Sequence, residues 1–472
     1  MAKKIIQVIG TSSGAGKSFV TMALCRVFSD AGFKVAPFKA VNMSLNSIAL
    51  SDGSEISRAQ WLQAMASREK PRKEMNPILL KPEKDGCLLV ANGKSISSMG
   101  HGEYSEFLKT QGRNLVSDSI CKLLDSHDVI VCEGAGSPAE INMDNDLANA
   151  FAIEEHGAEA LLVGDIERGG VFAALYGTLK LMKHPEAVKG LLINKMHGEK
   201  ALLGRGIAEL ENITERKVIG VMPFVEGVYL PGEDSEDYKK EFRMDYRIAV
   251  IKYPHVENYG DIDPIFASGG GVNYISDDNA EDISRARVII MPGSKEVVAD
   301  LEFVIGSGIG ERIKDAASRG SVVVGICGGY QMLGRRIDDP YGIESDRSAL
   351  GLGLLNAQTV YLREKVVREV SYRVDNRFIH GSESSDGYEI HYGRIESREE
   401  PLCGSGGDIG SISENGRIIG TNIHGILENR DLSDYIMRIS GIRISEKHSL
   451  EQNICRMASI FSSNVDLGPL GF

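Results

Sequence analysis

Cys327 sits in Gly325-Ile-Cys-Gly-Gly-Tyr-Gln331, directly after the apolar run Val322-Val323-Val324. Glycines around a cysteine at a strand-to-helix corner permit a sharp turn that bulkier residues would block. Such a corner presents the sulfur beside backbone N–H groups and the start of a helix, where thiolate is stabilised. The spacing Gly-x-Cys-x-Gly-x-Gln is that of a cysteine nucleophile that hydrolyses glutamine and releases ammonia. A base and oxyanion donors must accompany it. Of ten histidines, His424 in Gly420-Thr-Asn-Ile-His-Gly425 is the candidate base, and His391 in Gly387-Tyr-Glu-Ile-His391 is its rival. Met291-Pro-Gly293 ends another apolar run. The N–H groups of Gly293 and Gly328 would form the oxyanion hole, and Gln331 is placed to hold the glutamine.

A second chemical motif lies at the other end of the chain. Gly10-Thr-Ser-Ser-Gly14-Ala-Gly16-Lys17-Ser18 follows a first apolar run, Ile5–Ile9, and precedes a helical pattern, Val20–Phe28. That context suits a phosphate-binding loop. Gly14 and Gly16 let backbone N–H groups face phosphate oxygens, and the helix N-terminus adds positive potential. Lys17 would meet the β- and γ-phosphates of ATP, and Ser18 would ligate Mg²⁺. Counted from Gly10, the loop is one residue longer than the standard spacing.

Two such sites need two frameworks. Val35–Phe38, Val129–Cys132, Ala160–Val163 and Gly190–Ile193 continue the first series of short strands. Alternation of these runs with amphipathic stretches predicts a parallel, doubly wound α/β sheet. A charged stretch from Pro231 interrupts the series, and a second α/β series starts near Arg247. The expected domains are 1–230 for nucleotide and substrate, 231–245 as linker, 246–440 for glutamine, and 441–472 as a helical extension. The segment after about Asn429 reads as helical and is expected to cap the second domain.

Bulk properties narrow the function. The chain of 472 residues is too long for one ordinary core. Its net charge of −13, from 53 basic and 66 acidic residues, offers no basic surplus for nucleic acid or an anionic membrane. Seven scattered cysteines without a Cys-x-x-Cys pair read as reduced thiols, and no apolar stretch is long enough to span a membrane. The expected location is the cytoplasm. The oligomeric state is open.

The long phosphate loop resembles that of dethiobiotin synthetase and its relatives, ATP-dependent enzymes that phosphorylate carboxylates. That resemblance implies a second lysine after the second strand, at Lys39. It also implies Mg²⁺-binding acids at Glu55 and Glu133, with Asp52 as a competitor for Glu55, and an adenine-contacting asparagine at Asn194. The cysteine elbow resembles class I glutamine amidotransferases, with His424 where they keep the base. Most of these carry a glutamate two residues after the histidine, but here that residue is Ile426, and Glu428 has the wrong offset. A Cys–His dyad is expected, with its third member open.

Ala36-Pro-Phe-Lys-Ala-Val-Asn42-Met-Ser44-Leu-Asn46-Ser, Glu55-Ile-Ser-Arg-Ala-Gln60, Met75-Asn76-Pro-Ile-Leu-Leu-Lys81-Pro and Asp165-Ile-Glu-Arg-Gly-Gly170 carry a closer likeness. With Gly387–His391, they resemble the cobyric acid synthase family, from about residue 5 to about residue 430. The resemblance implies ATP- and glutamine-dependent amidation of the b, d, e and g carboxylates of a corrinoid. Asn42, Ser44, Asn46, Asn76, Lys81 and Asp146 would face that substrate. Amidation of another polycarboxylate, or a regulatory ATPase with a degenerate amidotransferase domain, are the alternatives. The lone Trp61 is assigned to packing.

Overall fold

The first series of apolar runs builds a six-stranded sheet of β1 (Lys4–Gly10), β2 (Val35–Phe38), β3 (Val129–Glu133), β4 (Glu159–Asp165), β5 (Val188–Met196) and β6 (Val218–Pro223). Its order is β6-β5-β4-β1-β3-β2, parallel throughout. All five residues of β3 are buried, as expected for a strand covered on both faces. Helix α1 (Lys17–Asp30) follows β1, and α2 (Arg58–Ala66) begins at Ser57, whose hydroxyl caps the Gln60 N–H. Trp61 packs partly buried against this core.

The protein's structure, a computed structural model, describes residues 3–83, 86–142, 146–225, 247–267, 272–345, 347–404, 409–442 and 450–472. The linker expected at 231–245 lies outside the described residues. The chain divides into two units. Met1–Ser44, Glu55–Leu230 and Ser449–Phe472 form the first, and Leu45–Ser54 with Pro231–His448 the second.

The second sheet contains β7 (Ile248–Ile251), β8 (Val272–Ile275), β9 (Val288–Met291), β10 (Val322–Ile326), β11 (Glu400–Pro401), β12 (Gly410–Ile412) and β13 (Ile418–Thr421). The order is β8-β7-β9-β10-β13-β12-β11, with β12 and β11 antiparallel at one edge. Register pairs Met291 with Gly325 and Ile326 with Thr421. The carboxyl ends of β9, β10 and β13 therefore lie side by side, where parallel sheets place ligands. A short helix, α3 (Gly328–Leu333), starts directly after β10.

The C-terminus corrects an expectation. Arg430–Ser440 stays with the second unit, but α4 (Leu450–Ser462) belongs to the first. Ile454, Met457 and Phe461 follow helical spacing and share a core with Val20, Leu24 and Phe28 of α1. Arg26 of α1 donates to Glu451 at 2.6 Å, and Phe472 lies against Phe28 at 4.1 Å between ring centroids. The apolar stripe of α4 is buried on α1, which makes this helix part of the first unit. Among the described residues, no helix is long and apolar enough to cross a membrane.

Candidate active site

Cys327 has φ 51° and ψ −109°, a left-handed conformation rare for a non-glycine residue. The strain persists because neighbours lock the corner on both sides. The Cys327 N–H donates to Thr421 O at 2.8 Å, and the Gly329 N–H donates to Pro292 O at 3.1 Å. A methyl group on Gly329 would lie 2.0 Å from Met291 O, so only glycine fits there. The thiol donates to Ile390 O at 3.7 Å.

His424 is fully buried at the end of β13. Its backbone N–H donates to Tyr388 O at 2.8 Å, and the Tyr388 ring stacks on the imidazole at 5.0 Å. The Gly387–His391 segment thus positions the candidate base. His391 itself is engaged elsewhere, with Nδ1 2.8 Å from Gly393 O and Nε2 3.3 Å from Glu389 Oε1. Gln331 is buried and accepts a 2.8 Å bond from the Tyr361 hydroxyl. A methyl on Gly293 would sit 3.4 Å from His424 Cε1, and one on Gly328 would sit 2.8 Å from Ser294 N. The two candidate oxyanion glycines therefore border the same corner.

Asp261 stands where the third member left open by sequence reasoning would be. Its Oδ2 lies 2.8 Å from His424 Nδ1, and its Oδ1 accepts the Gly425 N–H at 2.7 Å. Burial alone would push the imidazole pKa down. The Asp261 carboxylate and the Cys327 sulfur outweigh burial and hold it up at about 10. Ile426, at the offset where an acid was sought, is a fully buried core residue. Asp261 comes instead from the turn Tyr259–Ile262, far earlier in the chain. Its only sequence signal is an acid close behind the first strand of the second series.

At the nucleotide end, Gly14 and Gly16 have φ 72° and 94°, which shapes the loop before α1. Lys17 Nζ donates to Ser12 O at 3.0 Å and Gly136 O at 2.8 Å, so it lies within the loop. Ser18 Oγ donates to Glu133 Oε1 at 2.8 Å, and Lys39 Nζ reaches the same oxygen at 3.0 Å. Three sequence-predicted residues thus converge at the end of β3. Asn194 Nδ2 donates to Ala15 O at 3.0 Å, which braces the loop directly. Replacing Lys17 with Ala is expected to slow amide synthesis about 10²- to 10³-fold, the usual cost of one electrostatic donor at a transferring group. The loss should be the same with glutamine or free ammonia, measured as phosphate release. Unimpaired synthesis would refute the role of this loop.

The remaining candidates divide. Asn42 Nδ2 donates to Gln60 Oε1 at 3.0 Å, Gln60 Nε2 donates to Gln63 Oε1 at 3.4 Å, and Gln63 Nε2 donates to Glu133 Oε2. A buried amide chain therefore runs from Asn42 to the phosphate end of the site. Asn76 spends its amide on Lys39 O and Ile78 O, both at 3.1 Å, which is a bracing role. Lys81 and Glu55 form a buried pair at 2.8 Å, so Glu55 already has a cation. Ser44 is buried, and its N–H pairs with Leu80 O at 3.0 Å. Asn46 is buried and falls in the segment that packs with the second unit.

Asp146 accepts the Asn149 N–H at 2.9 Å and lines a cleft of about 190 Å³ with Glu140, Lys183 and His184. Burial raises its carboxyl pKa. Among the described residues, no group of three or more His, Cys, Asp and Glu side chains gathers as a metal cluster. Ser18 with Glu133 is the pair whose oxygens meet.

Comparison with known proteins agrees with both halves. Residues 6–236 match the CobQ/CobB/MinD/ParA nucleotide binding domain, and residues 247–432 match the CobB/CobQ-like glutamine amidotransferase domain. A probable cobyric acid synthase of Thermoplasma acidophilum is 46% identical over 471 residues, covering 99% of this chain and 98% of that protein. One of Methanocella arvoryzae is 40% identical over 483 residues, covering 98% and 97%. A cobyric acid synthase of a Thermoanaerobacter species is 38% identical over 499 residues, covering 99% and 98%. Likeness of this degree spans both units and the full length of each relative, so the chain belongs to the cobyric acid synthase family.

Proposed function

We propose that the chain amidates the b, d, e and g carboxylates of adenosylcobyrinic acid a,c-diamide to give cobyric acid, using ATP and glutamine. Its membership of a glutamine-hydrolysing ligase family supports this reading. The observation that carries it is a Cys327–His424–Asp261 constellation on the same chain as a phosphate-binding loop.

Cys327 Sγ, its proton taken by His424 Nε2, attacks the glutamine amide carbon. The oxyanion forms at the N–H groups of Gly293 and Gly328. As it collapses, His424 returns the proton to the leaving nitrogen and ammonia departs. Water then attacks the thioester, releasing glutamate and restoring the thiol. At the other site, a substrate carboxylate oxygen takes the γ-phosphoryl group and ADP leaves. Lys17 and Lys39 offset charge on the phosphoryl group. Ammonia attacks the acyl carbon, phosphate departs, and an amide remains.

Ser18 and Glu133 fit a divalent cation, since their oxygens already meet at 2.8 Å. They would hold Mg²⁺ beside the phosphates, where it would supply charge neutralisation. Glu55 would join them only after release from Lys81. Asn194 would contact adenine from its place against Ala15. Asn42, Ser44, Asn46, Asn76, Lys81 and Asp146 are the proposed corrinoid-facing groups. All seven cysteines are free, which suits a reducing cytoplasm.

Incubating the chain with ATP, glutamine and adenosylcobyrinic acid a,c-diamide should yield a product whose mass shows four added amides. No amidation of that acceptor would overturn the reading. Amidation of only the a and c positions of cobyrinic acid would move the chain to the related a,c-diamide activity.

A further inference from the structure

One turn faces both ring nitrogens of His424. Asp261 lies at Nδ1, and three residues earlier Asn258 places its Nδ2 3.4 Å from Nε2. Asn258 is buried and left-handed, with φ 58° and ψ 50°, a conformation that asparagine tolerates better than most residues. On its other side, the Ser47 backbone N–H donates to Asn258 Oδ1 at 3.3 Å. A backbone N–H can only donate, so that bond decides which way the amide faces. Oδ1 must point at Ser47, and Nδ2 must point at His424.

This orientation conflicts with catalysis. Nδ1 carries the hydrogen directed at Asp261, so neutral His424 has one lone pair, on Nε2. The Asn258 amide is directed at it, while the Cys327 thiol rests on Ile390 O at 3.7 Å. A lone pair shared with the amide is less able to take the thiol proton. Once Nε2 is protonated, its N–H would face the N–H of Asn258. As held, Asn258 therefore works against the thiolate–imidazolium pair that Asp261 and the Cys327 sulfur favour and on which attack depends. Turning the amide over would present Oδ1 to protonated Nε2, and that requires Ser47 to let go.

Ser47 lies in Leu45–Ser54, which belongs to the second unit, although Ser44 and Glu55 on either side belong to the first. This excursion is continuous with the proposed corrinoid-facing residues Asn42, Ser44 and Asn46. We propose that Asn258 is a positioning residue that restrains His424, and that the Ser47 N–H sets the restraint. Movement of the 42–55 segment on binding the corrinoid acceptor would then free the base and start ammonia release. The proposal rests on the glutaminase reading above. Asn258 exchanges no atoms, and the proton still passes from Sγ to Nε2.

Two substitutions test it. Asn258→Gly keeps the left-handed turn and deletes the amide. Asn258→Asp keeps an acceptor for Ser47 and replaces the donor at Nε2 with an oxygen. Glutamate release is measured with glutamine alone, and again with ATP and adenosylcobyrinic acid a,c-diamide added. Both variants should raise the basal rate about 10-fold, the scale of one hydrogen bond to a charged group, with KM for glutamine unchanged. Stimulation by ATP and acceptor should shrink accordingly, and synthesis from free ammonia should match the parent chain. Basal rate and stimulation unchanged in both variants would overturn the proposal. So would a fall in both with ammonia-driven synthesis intact. A parent chain that releases no glutamate under any condition would instead overturn the glutaminase reading, and this restraint with it.

Discussion

The Cys327→Ala chain is expected to lose glutamine-dependent amidation by about 10⁶-fold, the scale seen when a covalent nucleophile is removed. Synthesis from free ammonia at alkaline pH should persist near the parent rate. The reason is a division of labour. In the proposed reading the thiol at the end of β10 frees ammonia from glutamine, and the phosphoryl chemistry falls to Lys17, Ser18 and Glu133 of the first unit. Alanine is smaller than cysteine and inherits the same φ of 51°, so the corner should still form. Product mass with each nitrogen source is the measurement. Loss of both activities in a folded chain would show that the two sites are not separable.

Asp261→Asn should cut glutaminase turnover about 10⁴-fold, as in other triads whose orienting acid becomes an amide. An amide N–H directed at Nδ1 forces the hydrogen of His424 onto Nε2, and the base then has no lone pair for Cys327. Glutamate release against pH would show the loss, and activity near the parent level would remove Asp261 from the triad. Stability gives a second readout. The His424 pKa is raised to about 10 in the fold, against an ordinary value near 6.5. The stabilisation from this pairing is complete below about pH 6.5 and fades as pH rises through about 10. The gap in melting temperature between the parent chain and Asp261→Asn should therefore narrow as pH climbs across that window.

The two elbows were legible because each is written in consecutive residues. A strand, glycines, Lys17-Ser18 and a helix need only local geometry, and so does Cys327 between β10 and α3. His424 was legible for the same reason, as it closely follows β13. Asp261 was not, because it reaches His424 across 163 residues and the offset searched holds Ile426 instead. The destination of α4 was hidden similarly. Its stripe of Ile454, Met457 and Phe461 says that the helix is buried on one side, but not on what.

By itself, the sequence determined that this chain carries a phosphate-binding loop and a cysteine elbow on two α/β sheets, with the family those motifs imply. Short-range sterics and strand-to-helix geometry are sufficient for that. Only the tertiary structure decided what surrounds the reactive atoms: Asp261 and Asn258 at the two nitrogens of His424, Lys81 on Glu55, and Leu45–Ser54 packed with the second unit. Those partners are set by which chain ends and turns the sheet order brings together, and sequence spacing carries no record of that.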